Sequence, residues 1–158
     1  MNFPSLQAFS RHMATLTIEE RAIDTLARAG VATVLTRKVK EKIGDPARLL
    51  PPLAASTIAK KGNDLPLVDT GALKESITWR HMSPRRTVVG STEDKAIWHE
   101  LGPVHGRYPK RPFLAPTAEE ENVGLFELYA KAMRAFLTRS RPEAAITMSA
   151  TGVSRRVQ

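Results

Sequence analysis

Two side chains able to move a proton, His99 and Glu100, stand next to each other in the stretch AIWHELG. General acid–base chemistry needs such groups to converge on one proton. Adjacent residues instead diverge, to opposite faces of a strand or by about 100° on a helix, so this pair cannot easily serve one substrate. His99 and His105 form a conceivable metal couple, yet Gly102 and Pro103 intervene and no third ligand follows at a recognisable spacing. The stretch VDTGALKES contains Thr, Gly, Lys and Ser without the G-x-x-x-x-G-K-[ST] order that wraps phosphates. It reads as a turn capped by Asp69 or Thr70, with Gly71 letting the backbone bend. Consecutive helical carboxylates also diverge, so Glu119 to Glu121 suit a helix N-terminus better than catalysis. Cysteine is absent, which removes thiolate ligands, cysteine nucleophiles and disulfides together. No catalytic residue, metal ligand or cofactor-binding residue is therefore assigned, and no cofactor is expected.

The elements that would position these residues are legible from periodicity. Residues 4 to 14 form a short amphipathic helix with Leu6, Phe9 and Met13 at helical spacing. Thr17 and Glu20 form a capping box that starts a long helix to residue 43. Its predicted buried stripe is Ile18, Ala22, Leu26, Ala29, Ala32, Val39 and Ile43. Ile23, Val31, Val34 and Leu35 fall outside that arc, more apolar surface than a solitary helix should leave in water. Gly30 allows a kink. Residues 44 to 69 form a long proline-rich loop with one short helix, Ala54 to Lys61. A sheet region, 70 to 115, holds a hairpin turning near Ser83 and Pro84, the undecided stretch AIWHELG, and an edge strand at RPFLA. Thr117 and Glu120 cap a final helix over 117–138, with Val123, Phe126, Ala130, Met133 and Leu137 on its apolar face, widened by Tyr129 and Phe136. Trp79 and Trp98 read as core or interface anchors. The expected fold is α+β: a small antiparallel sheet of three to four strands packed on long N- and C-terminal helices, as one domain over 1–138 with a flexible or partner-ordered tail over 139–158.

The formal net charge is +8 across 158 residues, with Lys and Arg numbering 24 against 16 for Asp and Glu. Such a balance favours acidic partners. The basic clusters, Lys38 to Lys42, Lys60 and Lys61, Arg107 to Arg111, and Arg139 to Arg156, are dispersed and carry no helix-turn-helix, zinc-finger or glycine-aromatic signature. A basic DNA-binding accessory protein is the second reading, and a hydrolase on His99 and Glu100 the third. No apolar run approaches membrane-spanning length, so a soluble, intracellular protein with no membrane partner is expected.

The order of motifs carries a further signal. PPLAASTIAKKG, then PLVDTGALKESITW, VVGST, AIWHELG and KRPFLAPT ahead of an acidic helix start, resembles the neck proteins of long-tailed double-stranded DNA phages, the head–tail joining, tail-completion or virion-morphogenesis proteins. Thr70, Gly71 and Leu73 match a T-G-x-L motif; Trp98, His99, Glu100 and Gly102 match an aromatic, His or Glu, Gly block; Pro109, Arg111, Pro112, Phe113 and Leu114 match P-x-R-P-F-L. The resemblance implies a structural virion protein at the head–tail junction, in the host cytoplasm during assembly. It implies a ring of identical subunits, expected to be a hexamer, touching neck, connector and tail-tube proteins, with DNA passing through without sequence-specific contacts. Tail terminator and head-side connector both stay open. The interface residues expected on this reading are Ile23, Val34, Leu35, Trp98, His99, Arg107, Tyr108, Lys110, Arg111, Arg139 and Arg141, with the 105–111 loop held stiff by its prolines to meet an acidic neighbour.

Overall fold

The computed structural model describes residues 4–46, 50–102 and 109–140, the last two by their helical backbone alone. A single helix, α1 (Leu6–Lys42), runs 37 residues from a Ser5 cap, whose hydroxyl accepts the Ala8 amide at 3.1 Å. The expected break before residue 17 does not occur. Nothing in Ala14-Thr15-Leu16 obliges the backbone to leave the helix, and the Thr17 hydroxyl donates back to the Met13 carbonyl at 3.0 Å instead of capping a new one. The helix continues through Gly30 and ends where Gly44 turns to φ +80°.

Two short helices follow: α2 (Ala55–Lys61), one residue inside the expected boundary, and α3 (Ala72–Ser76), entered through Gly71 at φ +85° with the Thr70 hydroxyl beside the Ala72 amide. A hairpin comes next, β1 (Ile77–Ser83) against β2 (Arg86–Ser91), turning at Pro84 and Arg85 as expected. These two antiparallel strands are the whole described sheet, in place of three to four. AIWHELG resolves as a helix, α4 (Lys95–Leu101). RPFLA is not a strand, because its amides are captured by a carboxylate and open α5 (Leu114–Ser140) three residues before Thr117. The Thr117 side chain is wholly buried and donates to the Phe113 carbonyl at 2.6 Å, so it is not the cap either.

Helix α5 lies antiparallel along α1. Lys42 meets Glu120 at 2.9 Å, Lys38 meets Glu121 at 3.2 Å, and farther along the Tyr129 hydroxyl donates to Asp24 at 2.6 Å. The hairpin covers the neighbouring strip of α1. Between them Val39, Ile43, Ile77, Ala96 and Phe113 form the core, with Leu35, Leu67, Val68, Leu73, Val89 and Leu114 packed around it.

The inward face of α1 differs from the expected stripe. Ala32, Val39 and Ile43 are buried as expected and Ala27 joins them, whereas Ile18 and Leu26 are two-thirds exposed and Ala22 is open to solvent. At 100° per residue the buried arc is turned by roughly 100° from the predicted one. The polar residues Asp24 and Arg28 sit inside that inward arc, where Asp24 accepts from Arg28 at 2.9 Å as well as from Tyr129. Counting them as solvent-facing displaces the stripe. The face expected of the last helix is corrected likewise: Val123, Phe126 and Leu137 are exposed, and Tyr129, Ala130, Met133 and Phe136 are half-buried.

Candidate assembly interface

Helix α4 is short, and its two sides have opposite jobs. Ala96, His99 and Glu100 turn inward, and Ile97, Trp98 and Leu101 turn outward. The inward side anchors α5. The Glu100 carboxylate accepts the amides of Phe113 (2.9 Å), Leu114 (3.1 Å) and Ala115 (2.8 Å), three of the donors that a helix start leaves unpaired. A negative charge there also meets the positive end of the helix dipole. One residue earlier the His99 carbonyl accepts the Arg111 amide at 3.0 Å. Burial, with Arg111 and Lys95 nearby, holds the His99 imidazole below its ordinary pKa, so the ring is neutral at neutral pH.

Arg111 is only 8% exposed. Its guanidinium donates to the carbonyls of Pro51 (3.1 Å) and Pro52 (2.9 Å), tying the proline-rich segment to the start of α5. Prolines lack an amide donor, but their carbonyls remain good acceptors, and a planar guanidinium reaches two of them at once. Arg111, expected as a surface cation offered to a neighbour, is thus spent inside its own chain. Glu100, expected as a possible proton-transfer group, is fully occupied as a cap. His99 is also turned toward this junction.

Among the described residues nothing covers the outward side of α4. Trp98 is 50% exposed, Ile97 59% and Leu101 67%, and the spacing of 97, 98 and 101 puts them on one helical face. Trp98 was named from its sequence; Ile97 and Leu101 were not, although the i, i+4 pair flanking a tryptophan is the signal that finds them once α4 is a helix. Exposed apolar residues recur at the outlying ends of the long helices, at Leu6, Phe9 and Met13 of α1 and at Phe126 and Leu137 of α5. Leu6, Phe9 and Met13 fall within the angular range of Ala27, Val31 and Asp24, so they prolong the packing face of α1 by roughly six turns ahead of Ala27, its first buried residue. Ile23, Val34 and Leu35 are half-buried, and Leu35 packs on the core. Lys110 is exposed, with its stem against Gly102. Arg107, Tyr108 and Arg141 lie outside the described residues, as does His105, and for Arg139 only the helical backbone is described.

Between β2 and α5 runs an open, mainly apolar groove of about 860 Å³, floored by Val31, Ala32 and Leu35 and walled by Val88, Leu114 and Leu125. Arg28, Arg85 and Arg86 stand at its basic end beside Tyr129. The Arg28 guanidinium and the Tyr129 hydroxyl hold the Asp24 carboxyl below the usual carboxylate range, while Asp24 raises the Tyr129 phenol. Among the described residues no three His, Asp or Glu side chains converge as metal ligands, and no helix is long and apolar enough to cross a membrane.

Compared with known proteins, the chain matches no family model, no curated protein and no solved structure.

Proposed function

We propose that this chain is a structural subunit that works by assembling with copies of itself, in the manner of the phage neck rings that its motif order resembles. The observation that carries this reading is the outward face of α4, where Ile97, Trp98 and Leu101 are exposed together on a helix whose inward side is fully engaged. A contiguous apolar face rimmed by polar residues marks a protein–protein contact. The exposed Leu6 and Met13 of α1 and the exposed Phe126 and Leu137 of α5 extend the same preference to a second side of the molecule, as a head-to-tail ring requires. On this reading the subunit sits at the head–tail junction of a virion, contacts connector or tail-tube proteins, and carries no catalytic group. Native mass spectrometry or electron microscopy of the purified protein should find closed rings, six copies being the expected number. A protein that stays monomeric at micromolar concentration and never enters virions ends the proposal.

A second reading, a DNA-binding accessory protein, has its own support in the hairpin. Arg80, Arg85 and Arg86 are exposed, and no acidic residue occurs from Ile77 to Thr92. Against it, Lys38, Lys40 and Lys42, a basic run in sequence, each face a carboxylate of this chain. Duplex retardation that weakens steeply with salt would favour this reading; no retardation at low salt removes it.

A further inference from the structure

Strand β2 pairs with β1 on one side, and among the described residues no strand lies along its other side. The ladder fixes which groups that open side presents. Ile77 is opposite Ser91, and one step beyond them the Thr92 amide donates to the Ser76 carbonyl at 3.2 Å. Antiparallel pairs alternate between bonded and non-bonded, so Thr78 with Gly90 and Arg80 with Val88 exchange the inter-strand bonds. The amides and carbonyls of Thr87, Val89 and Ser91 therefore point away from β1. Thr87 and Val89 line the groove whose far wall is α5. An open strand edge beside an apolar trough is what an added strand completes, with backbone bonds along the edge and alternate side chains in the trough.

The chain carries a segment with the matching pattern. Ile146-Thr147-Met148-Ser149-Ala150-Thr151 alternates apolar and polar at every step, without charge or proline. That is the period of a half-buried strand. The segment lies beyond the described residues and follows α5, which ends at Ser140.

Its reach determines whose groove it enters. Tyr129 lines the basic end of the groove, and α5 runs on past it to Ser140. Those residues carry the chain roughly 16 Å beyond the groove at 1.5 Å per residue. To return, the chain would have to reverse and retrace that path within the six steps from Ser140 to Ile146, which fully extended span at most about 22 Å with no turn at all. The roughly 6 Å left over does not cover both a turn and the crossing from α5 to the β2 edge of the same subunit. A neighbouring copy offers the same groove with no reversal.

We propose that residues 146–151 of one copy add as a strand to the β2 edge of the next, seating Ile146, Met148 and Ala150 in the groove between β2 and α5. The proposal rests on the ring reading above and supplies it with a heterologous contact, a groove on one subunit and a tail on the next. The absence of cysteine makes a direct test clean. Met148→Cys, labelled with benzophenone maleimide and irradiated as the full chain, should give cross-linked dimers on a denaturing gel. Peptide mapping should place the links within residues 86–91 or 114–126. In a second variant, Ala150→Cys carries the label and Ile146→Asp puts a charge in the trough; its dimer yield should fall at least tenfold against Ala150→Cys alone. Links confined to the monomer band mean that each tail serves its own groove and overturn the exchange. Rings that persist by native mass while links are absent or map elsewhere overturn this contact and leave the ring reading standing. Monomers without links remove both.

Discussion

Phe113, the residue just before α5, and Phe126, near the middle of that helix, have opposite surroundings. Phe113 is 2% exposed in a core closed by α1, the hairpin and α4, with Glu100 gripping its amide. Phe126 is 69% exposed on α5 itself. The junction of α4 with α5 is finished within one chain, its donors capped and its one buried cation bonded. The outlying parts of α1 and α5 instead leave large apolar side chains such as Leu6, Met13 and Leu137 exposed. The first region accounts for folding, and the second is surface left for a partner.

That contrast can be broken at its strong end first. Phe113→Ala should cost about 3–5 kcal/mol of folding stability by leaving a cavity in the core. It reads out as a fall in the denaturant midpoint at unchanged slope. Glu100→Ala should cost roughly 2–3 kcal/mol, since three amides lose their acceptor and the helix dipole its counter-charge. Glu100→Gln, which keeps an acceptor but not the charge, should lose less; equal losses would mean that the charge carries the whole effect, and no loss in the Gln variant that it contributes nothing. Arg111→Lys should cost about 1–2 kcal/mol, because an ammonium cannot span both proline carbonyls. Limited proteolysis within residues 50–54 should then quicken.

The pH dependence sharpens the same comparison. The folded-state pKa of His99 is lowered, so below its ordinary value near 6.5 the unfolded chain takes up a proton that the folded chain resists. Stability is full above that value and declines as pH falls from it toward the lowered one. His99→Gln should flatten the decline, measured as thermal midpoint against pH. The smallest effect on folding belongs to the other region: Phe126→Ala should shift stability by no more than about 0.5 kcal/mol. Its consequence should appear instead as a change in assembly size by native mass.

Much of this architecture is legible in the amino-acid order. The hairpin turn, Gly71, the short α2 and the two long helices all rest on local chemistry: positive φ at glycine, alternation, periodicity. What escapes is set by contacts distant in sequence. Thr17 and Thr117 both head motifs that cap helices, and both donate backward to a carbonyl four residues earlier, because neither helix starts there. The true cap of α5 is Glu100, some fourteen residues upstream of Leu114, which no local rule reaches. Asp24 and Arg28 look like solvent-facing residues until Tyr129 arrives to bond them. At the candidate interface, Trp98 is readable as a large aromatic in a small helix, but its partners Ile97 and Leu101 depend on which side of α4 Glu100 claims.

The grip of Glu100 on residues 113–115, with the Arg111 amide on the His99 carbonyl, also clamps together the two ends of the passage between Gly102 and Pro109. A passage whose ends are pinned can change length cheaply. Enlarging it from six residues to sixteen would add only about 0.9 kcal/mol of closure entropy. Natural variation can therefore rewrite this stretch to suit a new neighbour while leaving the body of the subunit untouched.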